Sequence, residues 1–175
     1  MARFSDIIGQ QQLKSHVQNA LRTGHISHAY LFSGEEGMGK RMFARTFAQA
    51  LLCEALQEQG GALEPCGVCR ACVMVQADTW PDLRILTHEK EKFGVDEIRT
   101  QLVNDIVLKP MRGDRRIWII PEADRMNPAS QNALLKTLEE PPAYAVIMLL
   151  TERPGALLQT ILSRTAALPL RSVKD

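Results

Sequence analysis

Residues 34 to 41 read Gly-Glu-Glu-Gly-Met-Gly-Lys-Arg. Gly34, Gly39 and Lys40 satisfy the pattern G-x-x-x-x-G-K, with an additional glycine at Gly37. In such a loop the backbone N–H groups close around a polyphosphate and the lysine reaches its terminal oxygens. The next position ordinarily carries a Ser or Thr whose hydroxyl holds Mg²⁺. Here it is Arg41, a cation, which cannot ligate a metal ion. A second motif is altered in the same sense. Nucleotide hydrolases of this plan end an apolar strand in an acidic pair, an Asp that holds Mg²⁺ and a Glu that polarises the attacking water. The apolar run Ile117-Trp-Ile-Ile120 ends in Pro121-Glu122-Ala123-Asp124, so Glu122 keeps the second place while Pro121 replaces the first. With both magnesium positions changed, efficient hydrolysis is not expected. The loop reads as a relic or a weak phosphate site and Glu122 as vestigial; the plainer reading of 118–124 is a buried strand and a turn.

The four cysteines are local. Cys66, Cys69 and Cys72 form C-x-x-C-x-x-C, and Cys53 precedes them across residues 54 to 65. Four thiolates at this spacing suit a closed tetrahedral zinc site of structural type. A redox C-x-x-C pair and four independent reduced thiols are the competing readings.

Composition sets the limits. With 45% hydrophobic and 23% charged residues, a core of ordinary size is available to 175 residues. A net charge of +1 gives no global electrostatic case for nucleic-acid binding, and 5% aromatic content is too little for a base-stacking platform. No apolar run approaches 18 residues, and Met1 leads directly into polar and charged residues rather than a signal peptide, which points to the cytoplasm.

The elements that must position these groups follow from periodicity. Leu13, Val17, Ala20 and Leu21 share one face of a helix over 10–22, stopped by Gly24. Ala29–Phe32 reads as a buried strand feeding the glycine loop, and a helix from Lys40 to about Cys53 follows it. Residues 54–65, polar and containing Gly60-Gly61, read as a surface excursion tied down by the cysteines. Further strands are expected at Asp82–Leu86, Arg116–Ile120, Ala145–Leu150 and Ala166–Leu170. Helices are expected over 95–106, from Asn127-Pro128 to Pro141, and over Gly155–Leu162. Alternating strands and helices predict one α/β domain with a five-stranded, mostly parallel sheet, helices on both faces and a zinc-binding insertion.

The chain resembles, over essentially its whole length, the bacterial DNA polymerase III clamp-loader subunits, the AAA+ delta-prime and gamma/tau proteins. The resemblance rests on His28-Ala-Tyr-Leu-Phe-Ser-Gly34, on Cys66-Gly-Val-Cys-Arg-Ala-Cys72 with Cys53, on Asn132-Ala-Leu-Leu-Lys-Thr-Leu-Glu-Glu-Pro-Pro142 and on Thr160-Ile-Leu-Ser-Arg164. It implies a P-loop NTPase (AAA+) three-layer α/β/α domain at 1–175 with a four-cysteine zinc module at about 53–72, and lid and collar domains beyond residue 175. In this family gamma/tau keeps an intact loop and an Asp-Glu pair, whereas delta-prime is the non-hydrolysing subunit. Arg41 and Pro121 favour delta-prime, as does the short lead from Met1 into Phe4-Ser-Asp-Ile-Ile-Gly9. Thr165 departs from the family by standing where a Cys is usual.

By the same resemblance Arg164 is an arginine finger acting in trans on a neighbour's ATP. Its plain alternative is a cation at a helix C-terminus, favoured by ~0.3–1 kcal/mol. Thr151 stands near the family's phosphate-sensing position. Glu139-Glu140, two acids in a last helical turn, are expected either to meet a neighbouring subunit or to form a solvated helix end. The implied partners are gamma/tau and delta subunits, and, through the assembled complex, the sliding clamp and primer–template DNA. A gamma/tau-type ATPase and a zinc-dependent nucleic-acid or protein adaptor are the alternative functions. His16, His25, His28 and His88 have no metal-ligand spacing and read as structural or surface residues.

Overall fold

The computed structural model describes residues 3–173. In chain order the elements are α1 (Gln11–Thr23), β1 (Ala29–Ser33), α2 (Lys40–Leu52), β2 (Gln57–Gln59), β3 (Ala62–Glu64), α3 (Arg70–Gln76) and β4 (Leu83–Ile85). After these come α4 (Val95–Ile98), β5 (Arg116–Ile120), α5 (Pro128–Glu139), β6 (Ala145–Thr151), α6 (Gln159–Leu162) and β7 (Ala166–Pro169). Five strands form one sheet in the order β4-β5-β6-β1-β7, and every pairing in it is parallel.

Strands β5 and β6 are buried along their whole length, which is why they read as unbroken apolar runs rather than alternating ones. Successive side chains still point to opposite faces. Tyr30, Phe32, Ile117, Ile119, Met148 and Leu150 pack with Phe43 and Phe47 of α2 and Val17 of α1. Leu31, Trp118, Ile120, Ile147 and Leu149 pack with Leu134 and Leu138 of α5 and Ile98 of α4. The result is the expected three-layer α/β/α domain. Among the described residues no helix is long and apolar enough to cross a membrane.

Two local expectations are corrected. The helix expected over 95–106 stops after one turn of α4 and continues as a π-helical turn, Arg99–Val103. There Thr100 Oγ1 donates to the Asp96 carbonyl at 2.6 Å, a back-bond that loosens helical geometry. The helix expected over Gly155–Leu162 is also divided, into a 3₁₀ turn at Pro154–Ala156 and the short α6. The Gln131 side chain holds the break, accepting from Leu158 N at 2.8 Å and donating to Ala156 O at 3.2 Å.

Residues 54–65 lie mostly at the surface, as expected, but carry regular structure. They contain the antiparallel hairpin β2–β3, turned by Gly60 and Gly61 at φ 59° and 82°, a left-handed pair that suits a tight hairpin. Glu64 at its end is buried, and its carboxylate accepts from Phe4 N at 2.9 Å and Ser5 N at 3.3 Å. Gln18 of α1 both accepts from Leu63 N and donates to Leu63 O. The hairpin is therefore bonded to α1 and to the N-terminal segment.

The start of β5 depends on Asp82, whose buried carboxylate accepts from the amides of Met111, Arg112 and Gly113 at 2.7, 2.9 and 3.2 Å. Arg116 lies beside it and donates to Asp105 Oδ2 at 2.8 Å. Replacing Asp82 with Ala leaves these amides without their acceptor and removes the carboxylate 3.9 Å from Arg116 Nε, which keeps its bond to Asp105. The expected cost is about 1–3 kcal/mol, read as a lowered urea midpoint at unchanged m-value; a loss under ~0.5 kcal/mol would contradict this account.

Candidate functional site

A cleft of about 820 Å³ opens where β1, β5 and β6 end. Its wall is formed by Gly37, Gly39, Lys40 and Arg41 after β1, by Pro121, Glu122 and Asp124 after β5, and by Leu150, Glu152 and Arg153 around the end of β6. Crevices at the carboxyl ends of parallel strands are the usual ligand position in open α/β sheets. Gly37 and Gly39 sit at φ 84° and 89°, left-handed conformations that a side chain would strain. They turn the chain so that α2 begins at the cleft, where its first amides have no intrahelical acceptor. No acidic residue occupies that first turn.

Lys40 Nζ donates back to the carbonyls of Gly34 and Glu35 at 2.6 and 2.9 Å. Arg41 is exposed and lines the same cleft. The loop thus has the donors and charge to hold a phosphate anion. Neither Arg41 nor Pro121 offers a side-chain oxygen to a magnesium ion; the carboxylates that line the cleft belong to Glu36, Glu91, Glu122, Asp124 and Glu152.

The Glu122 side chain, about half exposed at the cleft, is engaged through one carboxylate oxygen. Its Oε2 lies 2.9 Å from His88 Nε2 and 3.0 Å from Arg125 Nε. The other His88 nitrogen, Nδ1, is bonded to the Lys90 carbonyl, and the ring stands edge-on to Phe93 with centroids 4.5 Å apart. Both ring nitrogens therefore face oxygen acceptors, an arrangement that only the doubly protonated imidazolium satisfies fully. The Lys90 carbonyl raises the His88 pKa above its ordinary 6.5, burial opposes this, and the Glu122 carboxylate adds to the rise. His88 thus has a structural part, beside the cleft carboxylate of Glu122. The other three histidines have ordinary surroundings: His16 packs edge-on against Tyr30, His25 is exposed, and His28 Nδ1 lies 2.9 Å from Ala145 O.

Asp124 and Arg153 are further cleft residues that the sequence did not single out. Thr151 Oγ1 donates to Asp124 Oδ1 at 2.9 Å and accepts from Arg153 N at 3.0 Å, while Arg153 Nη2 stands 3.6 Å from Asp124 Oδ2. Thr151 thus holds an acid rather than facing the cleft alone. Arg164 is not among the cleft-lining residues. It lies just after α6, about half exposed, with Nη2 3.6 Å from Glu139 Oε1. Glu139, placed unfavourably for the helix dipole at the end of α5, has this cation as its counter-charge.

The four cysteines converge. The sulfurs of Cys53, Cys66, Cys69 and Cys72 all lie within 4.8 Å of one another. Cys53 is the C-cap of α2, and Cys69 is the N-cap of α3 with its sulfur accepting from Cys72 N. Burial pushes the Cys72 thiol up to about 12. Burial acts against ionisation of Cys66 too, but the amides of Val68 and Cys69 outweigh it and bring that thiol down to about 7. Four adjacent thiolates need a cation among them, so this donor set fits a tetrahedral metal ion, which would ionise all four sulfurs together.

Fold and cleft together define a P-loop domain of the AAA+ class. Residues 9–174 match the family described as DNA polymerase III, delta subunit, and the chain belongs to that family. It is 38% identical over 170 residues to the DNA polymerase III subunit tau of Salmonella typhimurium, an alignment that covers 97% of this chain and 26% of tau. The chain thus spans about a quarter of the length of that curated relative. A gamma subunit-related DNA polymerase III protein of Thermotoga maritima superposes with a TM-score of 0.67 at 26% identity, over 90% of this chain and 46% of that one. The Thermotoga maritima RuvB Holliday junction branch migration motor shares the fold, with a TM-score of 0.60 at 18% identity over 99% of this chain and 49% of that one.

The His88–Glu122 contact has a signed pH consequence. Because His88 is raised in the folded chain, the stability it contributes is complete below its unfolded value of 6.5 and is lost as pH rises through the higher folded value. Urea unfolding at about pH 6 and about pH 8.5 is expected to show that loss in the wild type and a smaller one in His88→Gln. Equal pH dependence in the two proteins would remove the ion pair from this account.

Proposed function

We propose that the chain is a non-hydrolysing, delta-prime-type subunit of a cytoplasmic DNA polymerase III clamp loader. In this reading it helps to load the sliding clamp onto primed DNA, alongside gamma/tau and delta subunits, and presents Arg164 to the nucleotide of a neighbouring ATPase subunit. The observation that carries the proposal is the state of the cleft. Arg41 and Pro121 stand in both magnesium positions, and one oxygen of Glu122 is bonded to His88 and Arg125. Gly34, Gly37, Gly39 and Lys40 retain at most weak phosphate binding. The position of Arg164 supports the second half of the reading, since it is exposed and lies outside its own cleft.

Zinc is the proposed ion for Cys53, Cys66, Cys69 and Cys72, because it takes four thiolates tetrahedrally without redox chemistry. A gamma/tau-type ATPase is the second reading, favoured by the 38% identity to a tau subunit. Turnover separates the two. The chain alone is expected to hydrolyse no ATP, and steady magnesium-dependent hydrolysis would establish the second reading instead.

In a ring reconstituted with ATP-hydrolysing subunits, Arg164→Ala is expected to abolish the contribution of the site it faces, since a finger supplies roughly 10³-fold or more of turnover there. Assembly should be retained. Unchanged ATPase activity of the assembled variant ring would refute the finger role.

A further inference from the structure

Gln49 stands four residues before Cys53 in α2, and its carbonyl accepts from Cys53 N at 2.8 Å. Its side chain is buried, only 3% exposed. The amide nitrogen lies against the Cys72 thiol but makes no well-formed hydrogen bond there, or with any other described residue. A buried amide N–H without an acceptor is costly and uncommon. It marks a place where the protein is arranged for a better acceptor than a neutral thiol.

The rest of the cluster shows which acceptor that is. Cys53 Sγ accepts from Cys66 N at 3.3 Å, Cys66 Sγ from Cys69 N at 3.2 Å and Cys69 Sγ from Cys72 N at 3.4 Å. Three sulfurs thus have a formed backbone donor. Cys72 Sγ, the most buried of the four, has no backbone donor of that quality; Cys66 Sγ stands 3.9 Å away, and the Gly67 amide and Gln49 lie beside it.

We propose that Gln49 is the outer-shell donor of the metal centre. Once Cys72 binds a cation as a thiolate, Gln49 Nε2–H donates to its sulfur, fixes its direction and favours the loaded cluster over the empty one. A metal-bound thiolate carries the negative charge that a thiol lacks, so it is the stronger acceptor. Partners of this kind orient ligands and tune metal affinity. The proposal rests on reading the cysteine cluster as a metal centre.

The test uses the purified chain, with Zn²⁺ affinity measured by competition with a chromophoric chelator and ligation by Co²⁺ spectroscopy. Gln49→Met keeps the volume and loses the N–H; Gln49→Leu provides a second apolar replacement. Both are expected to bind Zn²⁺ about 10–100-fold more weakly than wild type. Both should also shift the thiolate-to-Co²⁺ charge-transfer band. The metal-free variants should unfold at the same temperature as the metal-free wild type or higher, because an unsatisfied buried amide has been removed. A role in packing alone would lower metal-free stability and leave the band in place, and that pattern overturns the proposal. So does unchanged Zn²⁺ affinity in variants of a wild type that binds metal. A wild type with no thiolate–cobalt band overturns the metal centre itself, and the proposal with it.

Discussion

Helix α2 is the member on which both candidate sites hang. Its first turn carries Lys40 and Arg41 at the cleft, and its C-cap is Cys53 of the thiol cluster. At 1.5 Å per residue the two lie roughly 20 Å apart on one rigid rod. What holds the rod is burial: Phe43, Ala44, Phe47 and Ala48 are fully inaccessible against Tyr30, Phe32 and the facing residues of β5 and β6. Neither the loop nor the cysteines could be placed independently of that packing. Any change that tilts α2 on the sheet moves both.

The cleft has the frame of a phosphate-binding site with altered residues at two of its positions. The strand ends, the left-handed glycines and the helix start are all present, because the parallel sheet requires a turn there. Two of the cleft's acids are paired. Glu122 is held by His88 and Arg125, and Asp124 by Thr151 and Arg153. One oxygen of Glu122 is engaged by two cationic side chains, and Lys40 is bonded to two loop carbonyls. Arg164–Glu139 is a similar exposed pair outside the cleft. A half-exposed contact at 3.6 Å is weak enough to be exchanged for a stronger anion.

The cysteine region is less peripheral than a surface insertion would be. Its hairpin reaches the N-terminal segment through Glu64 and α1 through Gln18. The cluster is joined to α2 at Cys53 and to α3 at Cys69 and Cys72. A cation bound there would therefore tie three parts of the domain together.

Much of this was legible in the sequence. Short apolar runs located β1, β5, β6 and β7, the mixed run Asp82–Leu86 located β4, the Asn127-Pro128 pair located the start of α5, and spacing alone grouped the glycine loop and the four cysteines. These signals are local, carried by residues close together in the chain. What only the tertiary structure decided was pairing across distance: His88 with Glu122, Thr151 with Asp124, Arg164 with Glu139. Glu64, polar and in a polar stretch, gave no sign that it would be buried, because its partners are backbone amides some sixty residues away. The breaks in the helices expected over 95–106 and 155–162 have the same origin, since periodicity reports which face is apolar but not which carbonyl a side chain will claim. Sequence thus determined the elements and the types of chemistry they carry. Packing determined which charged and polar groups meet, because that depends on the order of strands in the sheet and not on their order in the chain.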